Sequence, residues 1–265
     1  MKKGIIYKYR NWHEKFHKNV LIENEIYLAP PNSFNDPFDC KIPENFHLID
    51  NESKREEFAN FYVNKHKEKL ISLSKKPEII KSNLKERLKV NLDDEHLFNE
   101  KRENEELDSC YGVFSGSKTW KSILMWSHYG DNHKGYCIGF KEELIIKSNK
   151  FGRGGHVNYS KEFPIRNPLD FSNDIVKDSF IQMYTKAEEW KYEEEYRLSI
   201  LNPDGLTNIE RIVKLDDNFI SEVILGVSIN EKDKNEIIEI CKRKQLKVYQ
   251  AKKIPFRFDI TREEV

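Results

Sequence analysis

The stretch Met125 to Phe140, MWSHYGDNHKGYCIGF, constrains this chain more than any other. Trp126, His128, Tyr129, Asp131, Asn132, His133 and Lys134 fall within nine positions, and the apolar run Tyr136-Cys137-Ile138-Gly139-Phe140 follows. A helix from Ile123 to Tyr129 sets Ile123 with Trp126, and Leu124 with His128, because side chains three and four apart meet. Gly130 and the polar run after it end that helix, and Gly135 resets the backbone for a strand. A polar loop with two imidazoles therefore sits where a helix delivers the chain into a buried strand. Loops held by a rigid scaffold are favoured places for binding and catalytic groups.

A chain of 265 residues suits one large domain or two small ones and is long enough to bury a sizeable core. With 38% hydrophobic and 34% charged residues, it reads as soluble and rich in Lys and Glu. No apolar run approaches the ~20 residues of a membrane span. The opening MKKGIIYKYR has too short an apolar run for a signal-peptide core. Cys40, Cys110, Cys137 and Cys241 lie far apart with no CxxC pair, which fits neither a zinc ribbon nor a disulfide framework and suits a reducing cytoplasm. The 45 basic and 45 acidic residues cancel, so bulk charge carries no nucleic-acid footprint, though a local basic patch is allowed.

Gly4 to Arg10 reads as a strand with Ile6, Lys8 and Arg10 on one face and Ile5, Tyr7 and Tyr9 on the other. Two cations beside Ile6 are an odd choice for a core strand. A helix follows over 12–21, where His13-Glu14-Lys15-Phe16-His17 matches H-E-x-x-H; the segment is short and charged and no third ligand follows, so the match reads as coincidence. Glu25 to Ala29 is a second strand. In Asn32-Ser33-Phe34-Asn35-Asp36-Pro37-Phe38-Asp39, Asn35 and Asp36 suit either a turn or a site. From about Ser53 to Leu107 the chain becomes dense in Lys and Glu with helical apolar spacing. This predicts two or three amphipathic helices, broken near Pro77, inserted between strands. Their charge runs read as solvated faces, with a partner-binding surface as the alternative.

Cys110 to Ser115 is a strand candidate, and a short helix is expected over 142–147. Gly152-Arg153-Gly154-Gly155 lacks P-loop or Rossmann spacing and reads as a flexible loop, with a strand over 156–160. Asn173 can cap a helix running to about Trp190, with Ile175, Val176, Phe180, Met183, Tyr184 and Ala187 on its apolar side. A strand from about Glu193 puts Glu193, Glu195 and Arg197 on one face. Two carboxylates so placed repel unless cations or a substrate balance them, and repulsion raises the proton affinity of one. The bland alternative is an exposed edge strand beside lysines. Strands are expected at 209–215, 221–226, 246–250 and 257–260, with a helix over 231–243. This last third carries no clustered reactive groups.

Five blocks together resemble a bacterial family labelled domain of unknown function 2971. They are Tyr7-Lys8-Tyr9-Arg10, Phe34-Asn35-Asp36-Pro37-Phe38-Asp39, Met125-Trp126-Ser127-His128-Tyr129, His133-Lys134-Gly135 and Trp190-x-Tyr192-Glu193-x-Glu195-Tyr196-Arg197. The arrangement also resembles, remotely, the ADP-ribosyltransferase plan of a basic early strand, aromatic residues around nicotinamide and a late Glu-x-Glu strand. That resemblance implies NAD as substrate, Glu195 as catalytic carboxylate and Glu193 orienting the ribose or acceptor. It places phosphate on Lys8 and Arg10, with Arg197 also toward the cofactor, and the nicotinamide ring against Trp126 and Tyr129. Asn35, Asp36, His128 and His133 are substrate-binding candidates. The Ser-Thr-Ser element of that plan has no good counterpart; only Ser115-Gly116-Ser117-Lys118-Thr119 stands near its place.

Three functions follow as expectations. One is an NAD-dependent ADP-ribosyltransferase-like or NAD-cleaving bacterial effector, a cytoplasmic toxin or anti-phage protein acting on a protein or nucleic-acid acceptor. Another is a metal-dependent nuclease or phosphoesterase using Asp36, Asp39, His128, Asp131 and His133, with Lys134 or Arg197 on phosphate. The last is a non-catalytic module binding a nucleotide in the same pocket or a partner through the 53–107 helices. The fold expected for all three is α+β, a mixed or antiparallel β core with that helical insertion in a single domain over 1–265.

Overall fold

The computed structural model describes residues 4–171 and 175–265. The cap expected at Asn173, the side chains of Ile175 and Val176, and Met1 to Lys3 of the opening run lie outside the described residues. The strands in chain order are β1 (Ile5–Arg10), β2 (Glu25–Tyr27), β3 (Tyr111–Ser117), β4 (Tyr136–Lys141), β5 (Arg153–His156) and β6 (Asn158–Ser160). They continue with β7 (Thr185–Ala187), β8 (Glu195–Leu201), β9 (Ile212–Lys214), β10 (Ile220–Leu225), β11 (Lys247–Lys253) and β12 (Ile260–Glu264). Eight of them form one sheet in the order β12-β11-β10-β4-β1-β3-β8-β5. Every pairing in it is antiparallel except β10 with β11. The fold is α+β, with β2–β9 and β6–β7 as separate two-stranded ribbons.

Alternation along β1 works as the pattern demands. Ile6 enters the larger core with Phe114, Phe140 and Leu198. Tyr7 and Tyr9 enter a second core with Met125, Trp126 and Cys137 on the opposite face. Helix α1 (Lys15–Ile22) covers the first core with Val20 and Leu21. His13 precedes that helix and pairs with Asp233 at 2.9 Å, while His17 Nδ1 accepts from the Asn11 N–H, so the H-E-x-x-H match assembles nothing.

The insertion contains α2 (Glu52–Lys65), α3 (Lys67–Ser72), α4 (Pro77–Val90) and α5 (Leu92–Cys110). Pro77 takes the first position of α4, where its missing N–H costs nothing. Phe58, Ala59, Leu84 and Leu88 of the insertion pack with Phe46 and Ile49, which precede it, in an apolar cluster apart from the two cores on the sheet. Helix α6 (Ile123–Tyr129) and β4 stand where the sequence puts them, as do α7 (Glu142–Lys147) and α9 (Glu231–Arg243). Among the described residues no helix is long and apolar enough to cross a membrane.

Four local expectations are corrected. The glycine-rich segment 152–155 is not a loop, because Arg153 to His156 pair with β8 as the sheet's edge strand. A Cβ on Gly154 would fall 2.9 Å from a Leu198 methyl, so the glycine permits the close approach of the two strands. Helix α8 (Ile175–Tyr184) stops before Trp190, since Thr185 to Ala187 pair in parallel with β6. Strand β8 begins at Glu195, after a 3-10 turn over Glu188–Glu193 and a left-handed Glu194 at φ 43°. It lies between β3 and β5 and is not an edge. The last strand is 260–264 rather than 257–260, because Phe256 adopts φ 60° in the turn before it.

Candidate active site

The site begins with β8, whose alternation puts Glu195 and Arg197 on one face. Both are buried, Arg197 completely. Arg197 grips Glu195 with two parallel bonds, Nε to Oε1 at 2.6 Å and Nη2 to Oε2 at 2.9 Å. Such a fork is the strong form of this pair. Its Nη2 also donates to Asp39 at 2.7 Å and its Nη1 to the Met183 carbonyl at 2.7 Å. Lys186 on β7 donates to Glu193 at 2.7 Å and lies 3.4 Å from Asp39 and 3.5 Å from Glu195. Three carboxylates and two cations are thus packed together out of water.

The cluster splits the two glutamates of the Glu-x-Glu pattern. Burial works to raise the Glu195 pKa, but the charge and hydrogen bonds of Arg197, with Lys186 behind them, hold it at about 2. Glu193 goes the other way: burial raises its proton affinity and Glu195's charge adds to that, against Lys186. This is the separation expected of two carboxylates two residues apart. Burial also opposes the charge on Lys186, yet the surrounding carboxylates keep its pKa raised. Tyr129 donates to the other oxygen of Glu193 at 2.8 Å and accepts from Asn35 at 3.1 Å.

A cleft of about 950 Å³ opens over this cluster. Glu193, Glu195, Asp39 and Lys186 line it, with Tyr129, His128 and Asn35 beside them and Lys8 and Arg10 reaching in from β1. The two cations that looked misplaced on a core strand are therefore cleft residues. Lys8 donates to the Ser115 carbonyl and sits 5.1 Å from the Phe114 ring centroid. Burial, helped by Arg10 and opposed by Glu195 and Glu193, brings its pKa down to about 7. Burial likewise lowers Arg10 to about 10, and its buried Nε has no hydrogen-bond partner among the described residues.

Other nominated residues lie elsewhere. Trp126 is fully buried, its N–H given to the Trp120 carbonyl at 2.8 Å and its ring set edge-on to Tyr9, so it offers no face to the cleft. Arg197 lies beneath the cleft and cannot meet a phosphate. His133 stacks on Trp126 and meets Ser127 Oγ at 3.2 Å, outside the cleft lining. Asp36 is buried and closes a turn by accepting from the Phe38 N–H at 2.9 Å. Asp131 lines the cleft with Asn132. Among the described residues no three His, Cys, Asp or Glu side chains converge as metal ligands, and Asp39 is engaged by cations. The metal set of Asp36, Asp39, His128, Asp131 and His133 is not assembled.

Lys186 was missed from sequence because it stood inside an expected helix. Its position, three residues after Met183 on that helix's apolar side, was the available signal. Sequence reading also gave Asp39 only a metal role, whereas it is the counter-charge of Arg197 and Lys186.

Fold and site define an α+β protein with a charged cleft over a mostly antiparallel sheet. A family model described as a protein of unknown function, DUF2971, matches residues 125–198. That span runs from α6 through β8 and holds His128, Tyr129, Lys186, Glu193, Glu195 and Arg197. No curated protein and no solved structure matches the chain.

Proposed function

We propose that the cleft binds NAD through its phosphates and breaks the bond between nicotinamide and ribose, as an ADP-ribosyltransferase-like or NAD-cleaving enzyme. The observation that carries this reading is the meeting, in one cleft, of two cations, Lys8 and Arg10, without carboxylate partners among the described residues, and a carboxylate of raised proton affinity. Lys8 and Arg10 suit a pyrophosphate, since charge-assisted hydrogen bonds to such an anion satisfy donors the protein leaves open. Tyr129 and His128 stand at the acidic end for the ring. When the C–N bond breaks, its electron pair leaves with nicotinamide and C1′ of the ribose becomes positive. A carboxylate fixed there stabilises that charge more in the transition state than in the substrate.

Geometry favours Glu193 for this task over Glu195. Arg197 forks both oxygens of Glu195, whereas Glu193 takes one bond from Lys186 and one from the neutral Tyr129 hydroxyl, so Glu195 is the more firmly held and suits a role in keeping the cluster in place. Both glutamates line the cleft, and Glu193, with its raised proton affinity, can take the proton released by an attacking hydroxyl of water or of an acceptor. The acceptor would be a protein or nucleic acid, and the setting a bacterial cytoplasm, as a toxin or anti-phage effector.

Purified protein incubated with NAD, with and without EDTA, tests the reading through free nicotinamide measured by chromatography. Release should survive EDTA and fall about 100-fold or more in Glu193→Gln, the scale of losing a transition-state contact. No release, even with cell extract as a source of acceptors, would sink it.

A further inference from the structure

The part of the cleft beyond Arg10 differs from its charged end. Its wall comes from α1 and the β2–β9 ribbon, which supply Phe16, Val20, Tyr27 and Ile212. Tyr27 and Ile212 are direct cross-strand partners. Phe16, Tyr27 and Ile212 are 71%, 37% and 42% exposed, so three large apolar side chains meet solvent on one concave wall. Scattered exposed hydrophobics need no explanation, but a convergent group in a cleft marks a binding surface. Asn208 lines the same cleft and is exposed.

The zones follow one another in a defined order. Lys8 donates to the carbonyl of Ser115, the cross-strand partner of Arg197, which holds Glu195, and Arg10 follows Lys8 on β1. His17 Nδ1 accepts from the N–H of Asn11, the residue after Arg10, and Phe16 is its neighbour on α1. The succession is acidic, then cationic, then apolar and aromatic. Nicotinamide mononucleotide, with its ring in the first zone and its phosphate in the second, would leave the third in water.

We infer that the Phe16–Tyr27–Ile212 wall is a subsite for a flat heteroaromatic base joined to the phosphates held by Lys8 and Arg10. The inference rests on the reading of the cleft as a nucleotide site, and it makes the ligand a dinucleotide with its second base on this wall. Aromatic and branched apolar side chains suit the faces of a planar ring, and the Asn208 amide offers both a donor and an acceptor to ring nitrogens. The adjoining cations select a base carried on an anionic linker over a free apolar chain.

Calorimetric titration of the full chain with ADP and with inorganic pyrophosphate tests this. Wild type should bind ADP about tenfold or more tighter than pyrophosphate, as one stacked base provides. A Phe16→Ala/Ile212→Ala double variant should lose that advantage while keeping its pyrophosphate affinity within about twofold. Its circular dichroism and melting curve should match wild type, because both side chains are already exposed. Equal affinities in wild type, an advantage that survives the double variant, or binding of neither probe would each overturn the subsite. Nicotinamide release separates the two claims. An ADP advantage without release keeps the subsite and removes NAD cleavage, whereas release without the advantage does the reverse.

Discussion

Two charge networks in this protein have contacts of overlapping length and opposite surroundings. In the insertion, Lys85 of α4 reaches Glu52 at 2.9 Å and Glu56 at 2.5 Å on α2, and Lys81 also pairs with Glu56. Beneath the cleft, Arg197 and Lys186 meet Asp39, Glu193 and Glu195 at 2.6 to 3.5 Å. The Glu52 side chain is 64% exposed, whereas every side chain of the second network is 5% exposed or less. Water screens the first and adds little beyond holding two helices in register. The second required stripping five charges of water, a cost of several kcal/mol per ion that mutual attraction only partly returns. A fold that needed stability alone would place apolar residues there. The cluster is better explained by what it holds in the cleft, an ionised Glu195 and a Glu193 of raised proton affinity.

The largest break should come from Arg197→Met. It leaves Glu195 and Asp39 buried without their main partner and should cost roughly 3–5 kcal/mol in urea unfolding. Adding Glu195→Gln and Asp39→Asn to that variant removes the stranded charges and should recover a good part of the loss. A cost below about 1 kcal/mol for Arg197→Met would mean that the network is not balanced as described.

Acid should separate the networks next. Glu195, held at about 2, stabilises the fold above the ordinary glutamate pKa, and that stability is lost as pH falls from about 4 toward 2. The raised Glu193 acts in the opposite sense, favouring the fold as it takes up its proton. The net acid limb should amount to roughly 3 kcal/mol at most and should flatten in Glu195→Gln, read from urea midpoints across that range.

Lys8 gives a smaller effect at neutral pH. Its pKa of about 7 in the fold, below that of a free lysine, means that the folded protein gains stability as pH rises from about 7 toward 10. Anion binding runs the other way, because only the protonated amine attracts phosphate. Affinity for sulfate, whose own charge is constant there, should fall several-fold between about pH 6 and 8 in wild type and show little pH dependence in Lys8→Met. An unchanged slope in that variant would assign the titration to another group.

The same two regions explain what could be read from sequence. Amphipathic spacing made the insertion legible as helices, although only structure could divide it at His66 and Asn91, where no proline or glycine marks the breaks. Local alternation made Lys8, Arg10, Glu195 and Arg197 legible as face-sharing residues, and repulsion between Glu193 and Glu195 gave the sign of their divergence. Depth was not legible. Nothing local distinguishes Trp126, sealed behind Tyr9, from Tyr129 on the cleft, or shows that Arg197 faces inward carboxylates and not solvent. Lys186 and Asp39 are 147 positions apart in a chain of 265 and become partners only when β7 docks beneath the cleft. The loop at Asp131, Asn132 and His133 shows the limit in reverse. All three take positive φ, 51°, 52° and 66°, so residue types that read as reactive also serve a left-handed turn that Asn, Asp and His tolerate best.

The smallest effect is expected where the contacts look as good as any. A Lys81→Ala/Lys85→Ala variant removes both cations that link α2 to α4, yet Phe58, Leu84 and Leu88 still pack those helices together. Its urea midpoint should match wild type within error, and any difference at low salt should vanish as salt screens the exposed partners. The Arg197→Met loss should persist in the same salt, because solvent ions do not reach that cluster. If the double variant instead unfolded as readily as Arg197→Met, the apolar cluster would not be what holds the insertion. Burial would then no longer explain why the exposed network, whose contacts are no longer than those of the buried one, has the smaller effect.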